Sequence, residues 1–468
     1  MNSDVIRMLR YNTGTDKKAF VKFKNDFDAV IFNATIVAYS GAAVADLVSV
    51  HKNQYIIDPQ THILQHSVHA IMSKKPRNGQ PCIKKSVQKY LEQLPPGILD
   101  IIANEKRPLS VDEIRGMLDD LSESVYEFET KYVDRFIEKK EYSKYLKYIN
   151  AGPAPRVVIA PYFMLKKEMS DEECHEVFLL NKLYMRRFLE IHRENGENCP
   201  AAAQLVMDKE VLTDEKLLEW ICESYKELDF EYFFIWINDF SSWDCSREEK
   251  ICFYKLLCVL NEIGKKPVMS YGGYDSIFLC NEEVKPRLYG AAQSVGYGEA
   301  RTITPVGGGL PVNKYYFRPL HKRLRFDEAL NILIDTGYFD PAKGNDEHAL
   351  DYYRNICDCE QCHEVIQNDI DNFNIYNESV PYIVKARFGN ITRNRPTQEA
   401  SLVAAFHFLY SKQKEWQDVK NYSLAELRDM LTADYETFGT EHQYENIKEW
   451  CEICLLYTSP SPRDMRRS

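Results

Sequence analysis

The sequence predicts an α/β chain folded as a (β/α)8, TIM-like barrel. Three observations carry that reading: eight short runs rich in β-branched and aromatic residues, helical-period stretches between them, and polar or glycine-containing residues closing each run. Several runs, RVVIAPYFML and EYFFIWIN among them, are continuously apolar instead of alternating, as strands buried on both faces are. Buried parallel strands separated by helices, eight in number, argue for closure into a barrel.

In chain order the strands are expected at 28–38, 54–58, 156–165, 201–207, 231–238, 267–271, 287–295 and 314–317. Residues 84–150 interrupt the alternation with apolar residues at three- and four-residue steps, which reads as a helical insertion within a barrel domain of residues 1–340. Ser110 followed by Glu113 predicts a capping box inside it. Residues 341–453 are expected to form a helical C-terminal region that opens on clustered cysteines. The segment 454–468, beginning CLLYTSPSPRD, resembles an in-frame translation of a sequencing adapter, so it is set outside the expected fold and the native chain is expected to continue beyond residue 453.

The 468 residues leave room for a barrel with additions, and 44% apolar with 12% aromatic residues is a globular composition. A net charge of −11 matches a phosphate-rich partner poorly, because nucleic-acid affinity comes largely from Lys and Arg displacing counterions. A protein or small-molecule partner is favoured instead. The opening MNSDVIRMLRYN has no charged start followed by an apolar stretch, and the apolar run at 29–50 is broken by Asn33 and Asp46 and fails as a membrane span. The thirteen cysteines are therefore expected to be reduced and cytoplasmic, with clustered ones read as metal ligands.

The strongest chemical signal is Cys357-Asp358-Cys359-Glu360-Gln361-Cys362. Three thiolates this close converge on one ion only through a tight turn, and tetrahedral zinc then needs a fourth ligand from elsewhere. His407, in the helix-like run EASLVAAFHFLYSKQKEW, is the natural choice, and His363 competes with it.

A C-x-C-x-x-C run after a barrel's last strands, followed by a histidine in a helix reading H-x-L-Y, resembles the tRNA-guanine transglycosylase superfamily, over residues 28–416. The resemblance implies a closed, structural Cys3His zinc site at Cys357, Cys359, Cys362 and His407, a homodimer, and base exchange by carboxylates at the C-terminal ends of barrel strands. Asp58 falls where the family places an acid, although Pro59 and Gln60 replace its small neighbours. Gln204 matches a pocket glutamine, Asn238 and Asp239 stand where glycines cover the base, and Tyr271, Gly272 and Asp275 end the sixth expected strand. At the seventh, beside Tyr297, the nucleophilic aspartate is missing and only Glu299 can substitute. Asp58, Asp275 and Glu299 are thus the candidate catalytic carboxylates, and Gln204, Asn238, Asp239, Tyr271, Gly272 and Tyr297 the candidate pocket.

A displaced, longer carboxylate misses in-line attack. The expectation is a remodelled site on an accessory protein that binds a protein partner. The resemblance extends to transglycosylase-like accessory proteins of anti-phage defence, type IV CBASS included, which accompany a nucleotidyltransferase and a 7-deazaguanine-synthesis-like protein. The alternative is an active transglycosylase on tRNA or DNA. Three weaker signals are read as structural: Gly307-Gly308-Gly309 as a loop, the basic run Arg318, His321, Lys322, Arg323 and Arg325 as a solvated edge or protein contact, and His62, His66 and His69 as an exposed helix face.

Overall fold

The computed structural model describes residues 5–12, 14–51, 54–73, 82–141, 144, 148, 153–241, 245–296, 303, 312–340, 342–386 and 389–458. Its contacts divide the chain into two compact units, one of residues 1–13, 24–280 and 285–306, the other of 14–23, 281–284 and 307–468.

The first unit is an eight-stranded parallel barrel. Its strands are β1 (Ile6–Tyr11), β2 (Ala29–Asn33), β3 (Gln54–Asp58), β4 (Val158–Ile159), β5 (Ala201–Asp208), β6 (Tyr232–Asn238), β7 (Lys266–Met269) and β8 (Gly290–Ser294). They pair in the order β3-β2-β1-β8-β7-β6-β5-β4. A parallel bridge from Tyr55 to Pro155, with Arg156 N–H donating to the Tyr55 carbonyl at 2.7 Å, joins the two ends of the sheet. Gly290 permits the β1–β8 seam, since a Cβ there would lie 2.7 Å from the Ile6 carbonyl oxygen.

Two expected strand assignments change. The run at 314–317 is no barrel strand: β9 (Lys314–Phe317) pairs antiparallel with β10 (Lys322–Arg325) in the second unit. The eighth barrel strand is instead β1, IRMLRY, whose two arginines break the apolar run that marks the others. Both are answered locally. Arg7 pairs with Asp28 at 2.9 Å, and Arg10 is buried against Asp58.

Residues two apart share a face of a strand, so the barrel interior can be read along each strand. Ile6 and Met8, Ala29 and Ile31, Ile56, Ala202 and Val206, and Phe234 and Trp236 form one buried cluster. The same alternation carries inward to Arg10, Asn33, Asp58, Gln204 and Asn238. The filling is thus apolar toward the strands' N-terminal ends and polar toward their C-terminal ends.

Helices Ala34–His51, Asp171–Glu194, Glu215–Tyr225 and Arg247–Glu262 connect successive strands. Ser170 with Glu173, and Ser246 with Glu249, form capping boxes that start two of them. Between β3 and β4 lie helices Lys85–Leu91, Val111–Gly116, Leu118–Lys131 and Asp134–Ile137, and the expected capping box at Ser110 and Glu113 forms. Leu118–Lys131 sends Glu129, 1% exposed, into the barrel wall, where Oε2 accepts the Ile159 N–H at 3.0 Å.

Burial pushes the Glu129 carboxyl well above its ordinary range, with Asp58 adding to the shift. Folding therefore takes up a proton at this site once pH exceeds the unfolded carboxyl range, so the group destabilises the fold increasingly as pH rises past about 4. Glu129→Gln keeps the acceptor and removes that cost. Thermal melts should show the variant gaining stability relative to the parent as pH rises from acid to neutral; a difference independent of pH would refute the assignment.

Candidate functional site

In the second unit Cys357, Cys359, Cys362 and His407 place their ligand atoms within 4.8 Å of one another. Cys357 and Cys359 lie in the short connection between the helices Asn345–Asn355 and Glu360–Ile366, Cys359 at the N-cap of the second, which carries Cys362, while His407 reaches in from the helix Gln398–Asn421. The sulfurs lie 3.9, 3.4 and 3.3 Å from His407 Nδ1. An ion held tetrahedrally at about 2.3 Å from sulfur and about 2.1 Å from nitrogen sets these separations at roughly 3.6 Å, so the four groups fit a metal. His363, the competing ligand, is exposed and stacks on Tyr353 at 4.0 Å instead.

The surroundings orient the ligands. His407 Nε2 faces the Tyr316 carbonyl at 2.7 Å, which fixes the proton there and leaves the Nδ1 lone pair for the cluster. The Tyr315 ring stacks on the imidazole at 4.4 Å and 10°. Burial alone would raise the Cys362 thiol, but hydrogen bonds with Cys357, Cys359, Tyr352 and Tyr376 hold it well below its ordinary range. The Tyr352 and Tyr376 hydroxyls lie 3.3 and 3.6 Å from that sulfur.

Tyr316 also belongs to a second buried network that the sequence did not signal. Its hydroxyl donates to Glu415 Oε1 at 2.5 Å and accepts from Lys412 Nζ at 2.7 Å. His321 Nδ1 lies 2.7 Å from Glu415, and Lys412 pairs with the other carboxylate oxygen at 3.0 Å, both members of that pair fully buried. Burial opposes ionisation of Glu415, yet Lys412, with His321 and Tyr316, brings its carboxyl down to about 2. Most of the basic run at 318–325 is thereby spent inside the unit: His321 on Glu415, Arg318 on Asp358 and Asp418, and Arg323 over the Phe408 ring at 3.7 Å.

At the C-terminal end of the barrel, Arg10 Nη1 donates to Asp58 Oδ2 and to Asn33 Oδ1, each at 2.9 Å, and Nε donates to the Ser270 carbonyl at 3.1 Å. Its guanidinium lies 4.1 Å from the Tyr271 ring centroid. Asp58, 0% exposed, also accepts from the Tyr162 hydroxyl at 2.5 Å and from the Gln60 N–H at 3.3 Å. His62 meets the Tyr162 hydroxyl at 3.2 Å and stacks on its ring. The expected exposed histidine face holds only for His69, which is exposed; His62 and His66 are buried, and burial, with the cations Lys166 and Arg10 for His62 and with His62 for His66, lowers each to about 3, so both rings are neutral at physiological pH.

The other candidates are spread along strand ends. Asn238 ends β6 and bridges Asp208 to the Ile303 N–H. Asp239, exposed, follows in the left-handed region at φ 53°. Gln204 lies within β5, 3% exposed, with neither amide atom hydrogen-bonded among the described residues. Tyr271 packs on Trp236 at 4.7 Å. Gly272 has no room for a side chain, since a Cβ would stand 2.8 Å from Ser276 Cβ. Asp275 opens the helix Tyr274–Phe278, and Ser276 donates to it at 3.3 Å. The structure therefore joins Asp58 and Tyr271 through Arg10, and a hydrogen bond found for Asp275 among the described residues is to Ser276. Tyr297, Glu299 and Gly307–Gly309 lie outside the described residues. Arg10 and Tyr162, which organise the end of the barrel, were missed; the period-two step from Ile6 through Met8 to Arg10 is the signal that could have found the first.

Compared with known protein families the sequence matches none, and no curated protein matches it. No helix among the described residues is long and apolar enough to cross a membrane.

Metal analysis of the purified chain should return one ion per chain at this cluster, and Cys362→Ser should lose it with a drop in melting temperature; a variant that keeps both metal and stability would remove the cluster as a metal site. Arg10→Met should cost about 3–5 kcal/mol in denaturant unfolding, because Asp58 is left buried without its cation. Asp58→Asn added to Arg10→Met should recover part of that loss, and a loss below about 1 kcal/mol for the single variant would contradict the reading.

Proposed function

We propose that the chain is a transglycosylase-type barrel protein with a remodelled reaction centre, held in its second unit by a structural zinc ion. It serves in the cytoplasm as an accessory protein that binds a protein partner, a nucleotidyltransferase of an anti-phage defence system linked to 7-deazaguanine chemistry. One observation carries the loss of base exchange: the carboxylate at the family's acid position, Asp58, is sealed from solvent and committed to Arg10, Tyr162 and Gln60. Attack on a ribose carbon, or proton transfer to a leaving base, needs a carboxylate oxygen that can reach the substrate.

Zinc as the ion rests on the donor set, since three thiolates and one imidazole suit a soft, tetrahedral site. With four protein ligands no position remains for water or substrate, so its role is to hold the fold. A protein partner is supported by the net charge of −11, which opposes a nucleic-acid polyanion.

A second reading, exchange of guanine for a 7-deazaguanine, is favoured by Gln204, whose buried amide is without a partner among the described residues and would suit the edge of a purine.

Labelled guanine incubated with the protein and bulk tRNA or DNA separates the two. No incorporation, together with co-purification of a nucleotidyltransferase, is the expected result. Incorporation that disappears in Asp58→Ala would establish the second reading and end the first.

A further inference from the structure

We propose that an exposed two-stranded ribbon of the second unit is a docking site for an acidic protein segment that also carries apolar side chains. The ribbon consists of β11 (Ser379–Ala386) and β12 (Gly389–Pro396), paired without interruption from Ser379 opposite Pro396 to Ala386 opposite Gly389. Directly opposed residues of an antiparallel pair share a face. One face therefore bears Val380, Tyr382 and Val384 on one strand and Ile391, Arg393 and Arg395 on the other.

That face is turned to water, with Val380, Tyr382 and Ile391 exposed by 38%, 41% and 46%. Ile383, on the opposite face, is 62% exposed. A two-stranded ribbon alone is marginal in water, and a run of exposed apolar side chains on an edge marks a surface that another chain completes. Its base is anchored: Thr397 N–H donates to the Glu378 carbonyl at 2.9 Å, and the Asn313 amide donates to the Asn377 carbonyl at 2.9 Å.

Charge selects the occupant. Between Ser379 and Pro396 the sequence holds four basic residues and no acidic one, in a chain of net charge −11. Arg393 and Arg395 make no ion pair among the described residues, and Arg395 instead lies over the Tyr382 ring at 5.0 Å. Both line a groove of about 580 Å³ with Val312 and Phe326, in which the remaining arginine, Arg325, already pairs with Asp327.

A phosphate backbone would use the arginines but leave Val380 and Ile391 against water, and it would meet the repulsion of the chain's negative field. A peptide with alternating carboxylates and apolar side chains uses both rows. Alternate residues of a strand stand about 6.8 Å apart, which is the repeat an extended partner offers. This inference stands on the ribbon alone, so the outcome of the base-exchange assay does not bear on it.

The test uses the full chain at physiological ionic strength and three labelled probes: a peptide alternating Glu and Leu, a peptide of equal length and charge alternating Glu and Ser, and a single-stranded oligonucleotide. The Glu–Leu peptide should bind at least about tenfold tighter than the other two. Arg393→Glu with Arg395→Glu should weaken it by about tenfold or more, Arg393→Lys with Arg395→Lys should largely retain it, and Ile391→Ser should erase the preference for Leu over Ser. Unchanged melting temperatures establish that the variants fold, as expected for exposed positions. Equal binding of the two peptides, tighter binding of the oligonucleotide, indifference to charge reversal, or no binding would each overturn the proposal. Sedimentation showing that the ribbon instead pairs two copies of the chain would overturn it as well.

Discussion

Taking a guanidinium and a carboxylate out of water costs several kcal/mol each, and the pair recovers that cost only if every remaining donor and acceptor finds a partner. Arg10 and Asp58 meet the condition with Asn33, the Ser270 carbonyl, Tyr162, the Gln60 N–H and the face of Tyr271. These groups come from β1, β2, β3, the segment after β4 and the end of β7. Several of the barrel's strands are thus tied at one end through a single charge pair, and neither member can change without stranding the other. The same saturation leaves Asp58 fully buried, with one oxygen on Arg10 and the other on Tyr162 and the Gln60 N–H.

The second unit repeats the logic twice. Lys412 and Glu415 lie within one helix at zero exposure, and His321 and Tyr316 complete the carboxylate's contacts. Tyr316 then offers its backbone carbonyl to His407, the histidine of the Cys3His cluster. One residue therefore orients the imidazole with its main chain and closes the buried ion pair with its side chain. That is why β9 belongs beside the cluster and not in the barrel wall, where the sequence had suggested it.

Much of the fold was legible because it rests on strong, local signals. Runs such as 205–207 and 232–237 are apolar throughout, the composition that a strand buried on both faces uses. The cysteine cluster was equally plain, since three thiols fall within six residues and the fold brings them together with His407. What stayed hidden depends on partners far apart in sequence. Arg10 reads as a surface residue until Asp58 is set beside it, and β1 was passed over for that reason. Lys412 and Glu415 look like an ordinary exposed pair three residues apart on a helix. His62 and His66 share a helical spacing that suggested solvent, whereas neighbouring Tyr162 and Trp236 enclose His62.

The seam between β1 and β8 has a consequence for how the molecule is made. Leu9 sits opposite Gln293, so the first strand emerges from the ribosome long before the last one that must hold its open edge. Contacts of such high sequence separation form slowly because loop closure has to precede them. Before β8 is made β1 has only β2 to pair with, and its outer row of amides waits for the final barrel strand. The barrel therefore closes only after residue 294 has been made, so its last seam is set by the order of synthesis.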